Sequence, residues 1–402
     1  MFFKNSNTRS ERLTSVAKSY LAVKFFGALY FAYPIFYGYA SQVITPLQVG
    51  IFFSVIGIAS FLAEIPTGII ADKYSRKVCG LLGMSMIAIA PLIIFLGHAF
   101  PAYLIAAMFY GLGRAFMNGT LDSLLYDHAT MTKAAYRRVN VLEITFGQAG
   151  ILSSAAIGGL LFSVYQGLPF MVEALAGCIC VVLIARMDER HKEGYVRPTA
   201  SHRRHFLQSI QHLLATPYLR VVVFMGVTFS VMLGMCIQFV NEAAMIEQGL
   251  QPTARGFLVS GAGVIVLAIL HLFLLRVLKS DASRIIYMAV GAVVAYLAMS
   301  TGMLPVFLLG YLLWCCLNAT SSFMRIIIQD QIPSSHRSTI MSSFKTLAIL
   351  VGLGGSTATG LLVQSAHTPR VAYMVFALLA TIVLVPCAIW LVAHLRQETT
   401  TS

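Results

Sequence analysis

Apolar positions in this chain gather into long, nearly unbroken runs, with polar residues confined to the short gaps between them. Twelve runs of about 20 residues can be placed, near 20–42, 47–70, 79–98, 101–125, 139–163, 168–187, 219–240, 254–276, 284–302, 305–328, 339–362 and 369–395. Each is long enough to cross the ~30 Å hydrocarbon core of a bilayer as a helix. Helices follow because lipid offers backbone amides no partner, so each segment must pair its own. A membrane β-barrel would alternate in polarity over shorter strands, and the chain does not. The expected fold class is therefore an all-α membrane protein with twelve transmembrane helices. One long polar stretch, 188–216, divides it into an N-terminal half, 1–187, and a C-terminal half, 217–402.

The halves resemble each other weakly. The second run opens with Gly50, Ser54 and Gly57, and the eighth opens with Gly256, Ser260 and Gly263, 206 positions later. The fifth run ends in Gly159-Leu160-Leu161 and the eleventh in Gly360-Leu361-Leu362, 201 positions later. Two matches at nearly one offset point to two six-helix halves related by an axis along the membrane normal.

Charge adds an orientation. Lys4, Arg9, Arg12 and Lys18 precede the first run, Lys73, Arg76 and Lys77 lie between runs two and three, and Lys133, Arg137 and Arg138 lie between four and five. The central stretch and the eight–nine turn are also basic, whereas the alternate loops hold little beyond Arg255 and Arg370. Basic loops stay in the cytoplasm. The expectation is a multi-pass inner-membrane protein with both termini cytoplasmic, and a net charge of +13 that reflects topology, not nucleic-acid binding. The N-terminal residues lack a small-residue cleavage site.

Composition agrees: 58% of residues are hydrophobic and 11% charged, against about a quarter charged in a soluble domain. The seven cysteines lie in or beside apolar runs with no metal-ligand spacing, so no cofactor or metal is expected.

Between runs two and three the chain reads Gly68-Ile-Ile-Ala-Asp72-Lys73-Tyr-Ser75-Arg76-Lys77. This resembles the loop of the major facilitator superfamily, roughly Gly-x-x-x-Asp-Arg-x-Gly-Arg-Arg/Lys, with Ser75 in place of the second glycine. Glu64-Ile-Pro66-Thr67-Gly68 and Tyr126-Asp127 look like a bacterial branch of that superfamily, with no substrate attached. Helix number, central loop and repeat extend the resemblance over the whole chain. The resemblance implies a conformational gate at Gly68, Asp72, Arg76 and Lys77. Asp72 would face the positive N-terminus of helix eleven, near Ser338. Arg76 would reach Asp127 at the end of helix four.

Ionisable groups within apolar helices are costly and usually paired or hydrated. Glu64 and Lys345 lie about seven residues, or ~10 Å, from the same end of runs two and eleven, helices that pack together in the superfamily. Glu143 and His271 occupy related places on runs five and eight. One acid–base pair is therefore expected at each of two related interfaces. Arg114 and Asp122, eight residues apart, fall close to one helix face. With Asn118 they are candidates for substrate or proton binding. Helix four lines the cavity in the superfamily, and Tyr30, Tyr33, Tyr37, Gln238, Asn241, Trp314 and Asn318 could complete its lining. On run five, Gly147, Gly150, Gly158 and Gly159 suggest close packing. The segment resembles the superfamily's antiporter motif Gly-Pro-x-x-Gly-Gly, but Ala155 stands where the proline belongs.

The resemblance implies a monomeric secondary transporter in the lipid bilayer that moves a small-molecule substrate by alternating access, with proton-coupled efflux as the expected direction. Uptake of a nutrient or organic anion, with Arg114 as counter-charge, is the alternative. A sensor or partner subunit on the same fold is a third reading. Protons are expected over ATP because no Gly-x-x-x-x-Gly-Lys-Ser/Thr loop occurs. No nucleophile–base constellation suggests an enzyme. Asp72→Asn should sharply reduce transport while leaving membrane insertion intact. Flux through reconstituted, correctly inserted protein is the check, and wild-type flux would remove the gate assignment.

Overall fold

The computed structural model describes residues 14–73, 75–128, 132–189, 216–269, 275–330 and 337–401, which are helical apart from short connections. Helix α1 (Ser15–Phe26) is capped by Thr14, whose Oγ1 accepts from the amide of Ala17 at 3.3 Å. The chain then leaves the helix until the short α2 (Phe36–Ala40). Helix α3 (Pro46–Lys73) is followed by α4 (Arg76–Leu96), α5 (Phe100–Met117), α6 (Thr120–Asp127), α7 (Lys133–Val164) and α8 (Leu168–Ala185). The second half holds α9 (Pro217–Met235), α10 (Asn241–Glu247), α11 (Pro252–Ile269), α12 (Leu275–Val277), α13 (Asp281–Met299), α14 (Leu304–Thr320), α15 (Ser322–Asp330), α16 (Arg337–Ala366), α17 (Arg370–Leu379) and α18 (Val385–Thr401). A turn of i→i+5 hydrogen bonding at Cys236–Val240 joins α9 to α10, and another at Ala380–Leu384 joins α17 to α18.

Among the described residues, three expected runs are interrupted by backbone outside any helix. The first, expected over 20–42, breaks between Gly27 and Ile35. Pro34 supplies no amide there and disfavours helical backbone at Tyr33. The fourth, expected over 101–125, breaks at Asn118–Gly119, where Gly119 takes φ +69°. That left-handed backbone suits glycine. The tenth breaks at Ser321. Among the described residues nine spans are long and apolar enough to cross a membrane, and Pro252–Val266 and Leu304–Thr320 are shorter apolar helices.

The most extensive contacts between the halves are α3 against α16 and α7 against α11. Both use the glycines that mark the sequence repeat. A Cβ on Gly50 would collide with the carbonyl oxygen of Ser356 and lie 3.2 Å from the Cα of Gly360. A Cβ on Gly256 would collide with the carbonyl oxygen of Ala155 and lie 3.2 Å from the Cα of Gly159. The serines repeat the correspondence: Ser54 Oγ donates to the carbonyl of Leu353 at 2.5 Å, and Ser260 Oγ to that of Leu152 at 2.5 Å. Gly57 meets the Leu353 side chain, as Gly263 meets that of Leu152. Leu152 and Leu353 are 201 positions apart, the same offset as Gly159 and Gly360. The two interfaces are thus copies of one packing arrangement. In lipid, close backbone approach of this kind supplies the attraction that apolar burial cannot.

Both crossings lie toward the end of the bundle that carries the connections 41–45, 165–167, 248–251 and 367–369, here called the far face. The opposite end, where residues 189 and 216 border the central stretch, is the linker face. Gly256→Leu or Gly50→Leu should each lower stability by about 1–3 kcal/mol, because backbone cannot retreat from the added side chain. Gly147→Ala, where a Cβ would meet nothing within 4 Å, should be neutral or slightly stabilising. Thermal unfolding of the detergent-purified proteins checks both.

Candidate functional site

A cavity of about 810 Å³ lies between the halves. Its apolar wall includes Phe36, Phe52, Phe53, Ile56, Ile94, Phe170, Ile237 and Leu353. Its polar wall includes Tyr30, Tyr33, Ser60, Tyr110, Arg114, Gln148, Glu173, Ser230, Gln238, Asn318 and Ser356. All these positions come from α3, α4, α5, α7, α8, α9, α14, α16, the α1–α2 break with α2, and the turn after α9. The site therefore exists only when both halves are present.

Arg114, Tyr33, Gln238 and Asn318, named from the sequence, all line this cavity. Among the described residues Arg114 forms no hydrogen bond or ion pair, and its side chain is open to the cavity. Three other positions expected there lie elsewhere. Tyr37 stacks on Phe239 across the halves, with ring centroids 5.8 Å apart. Trp314 is buried against Tyr311, 5.7 Å away. Asn241 accepts from the Tyr373 hydroxyl at 2.9 Å inside the second half. Asn118, exposed at the α5–α6 break, donates to Glu64 at 3.2 Å.

The expected shared face of Arg114 and Asp122 does not exist, because the left-handed turn at Gly119 redirects the chain between them. Asp122 instead joins a cluster with Tyr20, Lys24 and Glu143. The Lys24 ammonium lies 2.9 Å from Asp122 Oδ1 and 2.7 Å from Glu143 Oε1. The Tyr20 hydroxyl contacts Glu143 Oε2 at 2.6 Å and also Asp122 Oδ1. Glu143 is thereby engaged within its own half. It precedes Leu152 by nine residues, about half a turn in angle at ~100° per residue, so it points away from α11. The side chains of His271 and Lys345 lie outside the described residues, as do those of Asp72 and Asp127.

At the two–three loop, Ser75 caps α4, its Oγ accepting from the Val78 amide at 3.1 Å. Glu189, at the start of the central stretch, accepts from Ser75 Oγ at 2.5 Å and from the Arg76 amide at 2.8 Å. A carboxylate over a helix N-terminus is the favourable polarity. The serine that departs from the superfamily pattern thus has a capping task. Arg76 is buried, Lys77 is half-buried on the first turn of α4, and Gly68 has open space where a Cβ would stand.

Sequence reasoning missed two carboxylates inside the bundle, the half-buried Glu173 and the buried Glu242. Glu173 on α8 accepts the Ala32 amide at 3.0 Å and the Tyr110 hydroxyl at 3.1 Å. Glu242 on α10 accepts the amides of Tyr37 at 2.5 Å and Gly38 at 3.0 Å, and pairs with Arg255 of α11 at 3.0 Å. Both satisfy amides freed where the first span breaks, a necessity inside lipid. Glu242 does so across the halves. An acid within an apolar run was the available signal for both, as a base was for Lys24.

The family model described as the Major Facilitator Superfamily matches residues 19–344. No curated protein matches the chain. Among solved structures, a point mutant of the nucleoside transporter NupG superposes with a TM-score of 0.75 at 12% identity, covering 92% of this chain and 98% of its own. A bacterial homologue of the human lysosomal transporter Spinster, inward-facing and unoccupied, gives 0.70 at 14% identity, with 97% of each chain covered. An autoinhibited peptide transporter of the POT family gives 0.67 at 11%, covering 95% and 96%.

Glu242→Gln should destabilise the protein by about 3–5 kcal/mol, because it strands the buried Arg255 charge. Replacing both residues by leucine should recover only part of that loss, since the Tyr37 and Gly38 amides remain without their acceptor. Thermal unfolding of the single and double variants measures the difference.

Proposed function

Because this chain belongs to the major facilitator superfamily, we propose that it is a secondary transporter exporting a small organic molecule from the cytoplasm in exchange for protons. That it is a membrane transporter and not an enzyme follows from the family. The observation that carries alternating access is a cavity bounded by both halves, which meet toward the far face through their paired glycine crossings and through the Tyr37 and Gly38 amides held by Glu242. The basic residues gather at the linker face, which the positive-inside rule assigns to the cytoplasm. On that reading the far face is external and the described conformation is open inward, like the Spinster homologue described as inward-facing.

In the opposite conformation the linker face closes. Gly68, Asp72, Arg76, Lys77 and Asp127 then form the gate, and Glu64 meets Lys345. Glu64 follows Gly57 by seven residues, so it continues nearly the same stripe of α3 that already faces α16. The two crossings act as hinges at one face while the pairs form at the other.

Proton coupling draws support from the grouping of two carboxyl groups, Asp122 and Glu143, around Lys24 and the Tyr20 hydroxyl within the first half. A proton taken up or released by such a cluster would change the net charge held inside the membrane, a strong bias on conformation.

Glu143→Gln and Asp122→Asn should each remove the stimulation of flux by a proton gradient while leaving substrate counterflow measurable. Reconstituted vesicles with and without a gradient separate the two effects, and gradient-driven flux that survives both changes would count against this coupling site. Export stimulated by an inward proton gradient is the expected direction, and uptake would replace it.

A further inference from the structure

Among the described residues the cavity offers a substrate one uncommitted charge. An arginine midway along an apolar helix is costly, and it persists where it is paired or faces water. Arg114 has no protein partner among the described residues and faces the cavity. The other described charge on the wall, Glu173, is occupied: one oxygen holds the Ala32 amide and the other the Tyr110 hydroxyl. Those contacts repair the break in the first span, so a ligand that drew Glu173 away would strand the amide. The remaining described polar groups on the wall are neutral.

Charge and apolar surface are separated along the cavity. Ser60, Arg114 and Gln148 stand at one end, while Phe36 and Phe53 stand toward the far face, backed by the buried Phe52 and Phe170. On α3 the distance from Phe52 to Ser60 is about 12 Å at helical rise. A volume of about 810 Å³ suits a drug-sized molecule.

We propose that the substrate is an amphipathic organic monoanion, a carboxylate on an aromatic body, with Arg114 as its counter-charge and the phenylalanine end receiving its ring. The guanidinium can grip a carboxylate through two parallel hydrogen bonds, and the apolar end supplies the rest of the affinity. This deepens the transporter reading and rests on it only for the movement of the ligand, not for its binding.

The test uses the full-length purified protein and matched probes that differ only in charge: phenylalkanoates of increasing chain length, with the amide and the amine of each. Thermal unfolding in detergent reads binding. The acids should raise the midpoint, and the amides and amines should not. Arg114→Gln should weaken acid binding by about tenfold or more, the scale of a hydrogen bond to a charged group, and Arg114→Lys should retain part of it. The proposal is overturned if the amines or amides stabilise as well as the acids, if no acid in the series stabilises, or if acid binding survives Arg114→Gln. The wild-type comparison stands even where a variant folds poorly. Counterflow of a bound acid in vesicles then tests the other reading: acid that binds but does not move refutes transport while upholding the site.

Discussion

Two places where backbone meets backbone hold this molecule in its described shape. At Gly50 against Gly360 and at Gly159 against Gly256, helices from opposite halves approach until carbonyl oxygens occupy the space a side chain would need. Lipid is as apolar as leucine, so burial alone gives helices no reason to associate there. Contact area gained by close approach does, and Ser54 and Ser260 reinforce it by donating to carbonyls of the opposing helix. Because these crossings sit near one face, the halves are joined there and a cavity is left beneath. The position of the site thus follows from where the small residues fall along four helices.

The broken first span imposes a second condition. Interrupting a helix inside the membrane frees amides that water cannot reach. Glu173 and Glu242 meet that need from opposite halves, and Glu242 adds an ion pair with Arg255. The same carboxylate therefore repairs local structure and bridges the halves. Its buried charge is tolerable only because three donors surround it, which ties the shape of the break to the closure of the far face. Tyr30 and Tyr33 reach the cavity because this stretch is not helical.

Charge placement inside the first half shows how much depends on angle. Glu143 and Asp122 are visible in the sequence as costly intramembrane acids, the first matched to His271 by depth and the second to Arg114 by helical spacing. Neither criterion is sufficient. Nine residues separate Glu143 from Leu152, which turns it away from the opposite half, and the left-handed Gly119 swings Asp122 away from the Arg114 face. Both arrive at Lys24, a residue whose significance needed a third helix in place. Arg114 needed no such help: a lone guanidinium in an apolar run must find water or a partner, and it stands on the cavity wall.

The sequence by itself determined the membrane class, the helical runs, the superfamily and the internal repeat, because each is written locally, in run length, in loop composition or in residue spacing. It also marked the glycines and serines of both crossings by their matching offsets, though not that they touch. Only the tertiary structure decided that Gly50 faces Gly360, that the first span breaks and is held by Glu173 and Glu242, and that Lys24 gathers Asp122 and Glu143. Those outcomes depend on the rotation of each helix about its own axis and on backbone bends at Pro34 and Gly119. Neither is encoded in hydropathy, which in a chain apolar on every face gives no preferred direction for a helix to point.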